Sequence, residues 1–328
     1  MTIIYREEDG RIEDLMGKTI GILGYGNLGR PIALNLRDSG LNVQVGIRSN
    51  EGYRQAVEDQ IRASALEQIV QSSDIILLML PDEVMPQVYL ETVSPYMTKG
   101  KTLIFASGYN ITFGFIEPPP FIDVGLIAPR TFGTTVRDRY LSGEGFYSFV
   151  AVGQDASGTI WDTVLGLAGA MGSLHAGAIE VTMEQEVELD LFLQQAVLPA
   201  VQHILTTAAR LLLASGYPPE AAMMDLYISG ELNDYVTRAA DEGLLHALRH
   251  STLTGQYGIF SRLERFNELK LERLMEVTLD EIRGADFAKE WAREYADGYP
   301  RLRKLRQAQE RQDLWELELQ TIEMLRDL

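Results

Sequence analysis

The sequence predicts an α/β protein: a doubly wound parallel sheet in the N-terminal part, followed by an all-helical second part. Three observations carry this reading. Short β-rich runs alternate with helix-like stretches from Lys18 to about Asp155. A glycine-rich turn closes the first of these runs and opens a helix. Beyond about Ala176 the β-like runs nearly stop, and Leu, Ala, Glu, Arg and Gln take over. The boundary is expected near residue 180, giving domains 1–180 and 181–328.

In chain order, KTIGILG, NVQVGIR, DIILLML, TLIFAS, DVGLIAP and FYSFVAV each read as a strand. They are apolar nearly throughout and bounded by Gly, Pro, Asp or Ser, as parallel strands covered on both faces are. Amphipathic segments such as PIALNLRDSG and PQVYLETVSPYM lie between them, and this alternation is that of a doubly wound sheet. In the second part, EVTMEQEVELDLFLQQAVLPAVQHILTTAARLLLASGYPP predicts one or two long helices, kinked at Pro199 and stopped at Gly216. After Leu189 this segment is apolar over most of its circumference, so deep burial in a bundle or a subunit interface is expected. ERFNELKLERLMEV reads as a solvated amphipathic helix. The stretch from about 301 to 328 reads as a charged tail helix, solvated or covering a partner.

The chain has 328 residues, 46% hydrophobic and 23% charged, enough for two ordinary globular domains. With 29 Lys+Arg against 47 Asp+Glu, its formal net charge is -18. Such a surface repels phosphate backbones and anionic lipid, so nucleic acid and membranes are not expected as partners and a small-molecule substrate is. The absence of cysteine rules out disulfides, thiolate catalysis and iron–sulfur clusters, and fits an intracellular compartment. MTIIYREEDGRIEDL is too acidic for a signal peptide, and the longest apolar run, Ile75 to Leu80, is far short of a membrane span. A cytoplasmic location is expected.

The glycine-rich turn is Gly24-Tyr25-Gly26-Asn27-Leu28-Gly29. Placed between a strand and a helix, this spacing marks a dinucleotide site. Gly24 permits the tight turn, Gly26 lets the backbone approach a pyrophosphate, and Gly29 lets helix and strand pack closely. The helix N-terminus then offers N–H donors to the phosphate. An NAD site usually carries an acid at the end of the second strand, whereas this chain has Arg48 and Ser49. A cation and a hydroxyl suit a 2′-phosphate, so NADP is the expected cofactor; Glu51 keeps NAD as the alternative. In ELDLFLQQAV, Asp190 precedes Gln194 by one helical turn, and on a helix both leave the same face. Two carboxylates so spaced grip a divalent metal; an acid with an amide is a poorer clamp.

GYGNLGRPIALNLRDSGLNVQVGIR, LMLPDEVMPQVY, FASGYNITFG and LIAPRTFGTTVR resemble, in order and spacing, the N-terminal domain of ketol-acid reductoisomerase. GQDASG, ELDLFLQQAVL, ASGYPPE, GQYG and GADFAKEW resemble that family's C-terminal domain, and the length suits the short form. The resemblance implies a Rossmann domain plus a knotted helical domain, assembled as a homodimer or larger oligomer with active sites shared between subunits. It implies NADPH and two magnesium ions, an alkyl migration followed by hydride delivery, and a product that is a dihydroxy acid of branched-chain amino acid synthesis. It also brings Leu80, Pro81 and Asp82 to the cofactor site.

The departures from the family pattern sit where that chemistry happens. The family's His after the fourth strand corresponds to Ser107, and its Lys in Pro-Lys-Gly-Pro-Gly to Arg130. Its metal-bridging Asp matches Asp190, and the Glu one turn on is Gln194. Of two further Glu, one alignment keeps Glu231 and puts Tyr227 at the other position; a shifted gap gives Asp225 and Ser229. The substrate-gripping Ser falls near Ser251 and Thr252. Glu186, one turn before Asp190 on the same face, is expected to be an exposed helix charge, the alternative being that it compensates for the missing acid. His175, His203, His246 and His250 are scattered, with none at metal-ligand spacing to another.

With Gln removing a charge, at most one magnesium is expected, on Asp190 and Glu231. The expected activity is therefore reduction of a small carboxylate-bearing carbonyl or imine, with isomerisation altered or lost. Arg130 would polarise the carbonyl or clamp the carboxylate, or else form a salt bridge that supports the strand end. Arginine gives up no proton at neutral pH, so water, Ser107 or Glu231 would protonate the alkoxide. The alternatives are a working ketol-acid reductoisomerase with unusual ligands and a non-catalytic NADP-binding scaffold or sensor.

Overall fold

The computed structural model describes residues 2–263, 265–266, 270–311 and 313–326. The chain divides into two compact units, Met1–Asp190 and Leu191–Leu328.

The first unit is built on one sheet of nine strands: β1 (Ile4–Tyr5), β2 (Thr19–Leu23), β3 (Asn42–Gly46), β4 (Arg62–Ser64), β5 (Ile75–Leu78), β6 (Thr102–Phe105), β7 (Asp123–Pro129), β8 (Ser148–Gln154) and β9 (Ala178–Glu180). Their order is β1-β9-β8-β7-β6-β5-β2-β3-β4. The run from β4 to β7 is parallel throughout. β8 is antiparallel to β7, and β1 closes the far edge antiparallel to β9. Consecutive strands leave β2 in opposite directions, so the crevice for a ligand opens at the carboxyl ends of β2 and β5.

All six predicted strands are present. Their unbroken apolarity has a direct cause: Ile75 and Leu77 pack into one buried cluster and Ile76 and Leu78 into the other, so neither face meets water. β1, β4 and β9 escaped prediction because each has only two or three residues, too few for a periodic signal.

The second unit is helical, with principal helices Leu198–Ala214, Glu231–Glu242, Leu253–Leu263, Leu271–Arg283, Asp286–Ala296, Pro300–Glu310 and Asp313–Arg326. The kink expected at Pro199 takes the form of a widened π turn, Leu193–Val197, just before it; proline offers no N–H to the ladder there. Gly216, at φ +86°, follows the end of the helix as predicted. Of the two kinds of burial expected, the bundle is not seen among the described residues. Leu198, Ile204 and Leu211 are more than half exposed, so within one chain this helix is not sunk in a bundle. The run Met183–Ala214 is long and apolar enough to cross a membrane by length and composition alone; the sequence reading, which counted uninterrupted apolar runs, missed it.

The tail is two helices, and it is not simply solvated. Leu314, Trp315 and Glu318 line a cavity of about 360 Å³ with Leu198, Val201 and Leu205, and Thr321 is buried. Of the segment ERFNELKLERLMEV, residues 264 and 267–269 lie outside the described residues; its remainder runs into the helix Leu271–Arg283, with Leu274 exposed.

Candidate functional site

The glycine turn follows β2 directly and leads into the helix Gly29–Asp38. Gly24 adopts φ +104°, and a Cβ there would lie 2.4 Å from the carbonyl oxygen of Met79 at the end of β5. A Cβ on Gly26 would meet nothing within 4 Å, so the space above that peptide is open. Sequence reading missed a fourth glycine. A Cβ on Gly133 would stand 1.8 Å from the Asn27 carbonyl oxygen, so the helix Gly133–Ser142 starts against the turn itself. The signal was present in the quoted RTFGTTVR, but only the fold brings residue 133 to residue 27.

Tyr25 faces inward rather than toward a cofactor. It is buried, and its hydroxyl donates to Asp59 Oδ2 at 2.7 Å. Arg30 grips the same carboxylate through Nε at 2.7 Å and Nη2 at 2.9 Å. Hydrogen bonds from Arg30, then from Tyr25, hold the Asp59 carboxyl below the usual range. What Tyr25 leaves for a cofactor is its backbone. Ser49 is committed as well: its Oγ accepts the Gly52 N–H at 3.1 Å and caps the helix Asn50–Glu58. Arg48 and Glu51 are exposed beside it. Pro81 is exposed, and Leu80 packs at the glycine turn, 3.2 Å from where a Gly24 Cβ would sit. Asn27 is exposed and Leu28 half-buried. An open cradle, a helix N-terminus and these close glycine contacts fit a dinucleotide.

Arg130, at the end of β7, is held on three sides. Nη2 donates to Asp190 Oδ1 at 2.7 Å, Nη1 donates to Glu186 Oε1 at 3.3 Å, and the guanidinium lies 5.0 Å from the centre of the Phe149 ring. Glu186 is not the exposed charge expected; it is 1% exposed, and its second oxygen accepts the Gly108 N–H at 2.8 Å. The helix Met183–Phe192 approaches so closely that a Cβ on Gly108 would be 2.8 Å from the Met183 carbonyl oxygen. Burial pushes the Glu186 carboxyl up to about 7, with Asp190 and Asp82 adding to the rise and Gly108 and Arg130 opposing it. Asp82 is likewise pushed up to about 7, by burial and by the charges of Glu83 and Asp190. Asn110 Nδ2 donates to the Asp82 backbone carbonyl at 3.1 Å. Ser107 is half-buried in the same loop, and its Oγ accepts the Tyr109 N–H at 3.2 Å.

In the second unit, Asp225, Glu231 and Ser251 line one cavity of about 650 Å³ with Tyr235 and several leucines. Tyr227 is directed elsewhere, its hydroxyl donating to Glu318 at the other cavity. Of the two acids that the shifted alignments offered, the structure thus gathers Asp225 and Glu231, one from each. Ser251 is at the cavity; Thr252 is spent on the Gly255 N–H, which its Oγ1 accepts at 3.1 Å. His250 pairs with Glu242 at 2.9 Å on the surface. Gln194 lies in the π turn after Asp190.

Asp190, Asp225 and Glu231 are hard oxygen donors of the kind magnesium takes, and the guanidinium seated on Asp190 shows that this carboxylate's field favours a cation. Among the described residues of one chain, no group of three or more His, Cys, Asp or Glu converges to hold a metal.

Comparison with known proteins bears on the whole chain. Residues 14–177 match the family described as acetohydroxy acid isomeroreductase, NADPH-binding domain, and residues 183–327 match the ketol-acid reductoisomerase C-terminal domain. The chain is 37% identical over 308 residues to the ketol-acid reductoisomerase (NADP(+)) of Methanocaldococcus jannaschii, covering 93% of each. It is 38% identical over 303 residues to the ketol-acid reductoisomerase (NAD(P)(+)) of Metallosphaera sedula, covering 92% of this chain and 90% of that one. The solved structure of an NADH-preferring ketol-acid reductoisomerase from an uncultured archean superposes with a TM-score of 0.92 at 31% identity, covering 98% of both chains.

Proposed function

The chain belongs to the ketol-acid reductoisomerase family, in its short form, and we propose that it converts an acetohydroxy acid into a dihydroxy acid with NAD(P)H, a step of branched-chain amino acid synthesis. The observation that carries this is the match of both domains, in order, over nine-tenths of the chain, to reductoisomerases. The relatives lend no support to a lost isomerase step or to a non-catalytic scaffold. We assign the cofactor as NADP on the strength of Arg48 at the end of the second strand, with NAD open through Glu51. A homodimer or larger assembly is part of this reading. It is supported by the apolar face that Leu198, Ile204 and Leu211 leave open in one chain. A cytoplasmic location is also part of this reading, on the strength of family membership.

When bound, the nicotinamide supplies the hydride and the divalent ions polarise the ketol oxygens. The chain's own residues do the rest. The peptides of Gly24 to Gly29 and the helix behind them fix the pyrophosphate, with Asp59 bracing Tyr25 and Arg30 from below. Arg130 offers a planar, permanently charged fork at the carboxyl end of β7, suited to a substrate carboxylate. Glu186 and Phe149 set its direction. Asp190 in the first unit and, in the second, Asp225 and Glu231 are each oxygen donors of the kind the ions take, and Ser251 would contact the substrate.

A second reading is favoured by one pair of observations: Gln194 stands where the family pattern has a carboxylate, and Arg130 is paired with Asp190. In that reading the chain reduces a 2-oxo acid without moving an alkyl group. NADPH oxidation measured with 2-acetolactate and with 3-hydroxy-3-methyl-2-oxobutyrate, each with and without Mg²⁺, separates the two. Mg²⁺-dependent turnover of both is expected; turnover of the second substrate alone would replace the proposal with the reductase reading.

A further inference from the structure

The segment that leaves β7, Arg130-Thr131-Phe132-Gly133, carries the most exposed large apolar side chain among the described residues: Phe132 is 85% exposed. Single apolar side chains on a surface are ordinary, and what sets this one apart is its place. We propose that Phe132 is a cofactor-binding residue that packs on the nicotinamide half of the bound dinucleotide. The proposal rests on the cofactor reading above and is independent of which substrate is turned over.

The fold holds Phe132 beside the glycine turn. A Cβ on Gly133 would stand 1.8 Å from the Asn27 carbonyl oxygen, and neighbouring Cα atoms are about 3.8 Å apart, so the Phe132 Cα lies within about 7 Å of that oxygen. Both flanks are tied down. Arg130 donates its N–H to the Tyr147 carbonyl at 2.8 Å, and the Phe132 carbonyl accepts the Val136 N–H at 3.1 Å. The residue type is wrong for its local task. Phe132 is the N-cap of the helix Gly133–Ser142, where Ser, Thr, Asp or Asn would accept a free N–H of the first turn, and no side chain caps this helix. Threonines stand at 131, 134 and 135 but not at the cap. A phenyl group that neither caps the helix nor enters the core does nothing for the fold. A local rule broken at the rim of a site points to function.

The sheet order says which half of the cofactor Phe132 meets. A dinucleotide lies across the crevice with its adenosine ribose at the end of the strand that follows the glycine turn, here β3. The nicotinamide half therefore extends the other way, over the ends of β5, β6 and β7. To reach Asn27 from the end of β7, residues 130–133 pass on that same side. The nicotinamide is the flat ring available there, and a phenyl group gains by covering it in a way that it cannot with phosphates.

The test compares intact and truncated nucleotides by isothermal titration calorimetry on the full-length wild type, Phe132→Ala and Phe132→Leu. Each protein is titrated with NADPH and with 2′-phospho-ADP-ribose, which keeps the adenosine half and the pyrophosphate and lacks the nicotinamide. NADH and ADP-ribose form a second pair, so the answer does not hang on the 2′ substituent. Phe132→Ala should raise the Kd of the intact dinucleotide about tenfold and leave that of its truncated partner within about twofold. Phe132→Leu keeps most of the apolar area and should lose about threefold. The urea midpoint should not move in either variant, since the side chain supports no core. Equal losses for intact and truncated ligands would overturn the proposal by placing the effect on the glycine turn. Unchanged binding of both would overturn it too, leaving Phe132 to the substrate or to another partner. A wild type that binds neither pair would remove the cofactor reading itself, and the proposal with it.

Discussion

Glu186→Gln isolates the buried arm of the Arg130 cluster. Glu186 is 1% exposed, and its carboxyl is pushed from 4.5 up to about 7, chiefly by burial. An acid whose folded-state value lies above its unfolded one holds its proton more tightly in the folded chain. Its stabilising contribution is therefore complete below about 4.5 and is lost as pH rises through about 7. Each pH unit in that interval is worth about 1.4 kcal/mol, so the first unit loses about 3 kcal/mol across it through this group. Glutamine cannot titrate. Its amide oxygen can still accept the Gly108 N–H, while its NH2 then faces Arg130 and gives up that bond at every pH. Urea unfolding of both proteins at about pH 4.5, 6 and 8 gives the difference in stability at each pH. Between the extremes, the wild type should lose about 3 kcal/mol relative to the variant. Asp82 titrates in both proteins and largely cancels. A difference that stays flat across this range would refute the assignment of the slope to Glu186.

Gly133→Ala puts a methyl group into the Asn27 carbonyl, backbone against backbone, and should weaken NADPH binding about tenfold or more, read by quenching or enhancement of nucleotide fluorescence. Arg48→Ala should raise the NADPH Kd by about tenfold and leave the NADH Kd unchanged; equal effects on both would remove Arg48 from the 2′-phosphate. Tyr25→Phe deletes a hydrogen bond to a carboxylate and should cost about 1.5 kcal/mol or more in urea unfolding, with kcat kept and the cofactor KM raised a few-fold.

The glycine turn and the six long strands could be read from the sequence because their signals are local. Apolar continuity reports two covered faces, and a GxGxxG reports its own backbone. Glu186 was misread for the opposite reason. A carboxylate one turn from Asp190 on a polar helix start looks like a solvated charge, and only the approach of Gly108, 78 residues earlier in the chain, buries it. Gly133 and Asp59 also act through partners outside their own segments, Asn27 and Tyr25. The π turn Met224–Ile228 and Gly230 at φ +91° break the i, i+4 rule that both alignments assumed. With the rule broken, residues six apart share a cavity.

Arginine at position 130 also decides which groups can set the pH dependence of turnover. A guanidinium carries no proton that it can give up near neutral pH. The proton taken up by the reduced oxygen must then pass through carboxyls or water. Glu186 is poorly placed to supply it, since both of its oxygens are already engaged by Gly108 and Arg130. Asp82 is pushed up to the same region, about 7, by burial and by two neighbouring negative charges, and its loop borders the same strand ends. A donor of this kind works only while protonated, so kcat should fall as pH rises through about 7. Asp82→Asn should remove that limb of the profile and lower the plateau. If the limb persists unchanged in Asp82→Asn, it belongs to Glu186 or to another group, and Asp82 is not the donor.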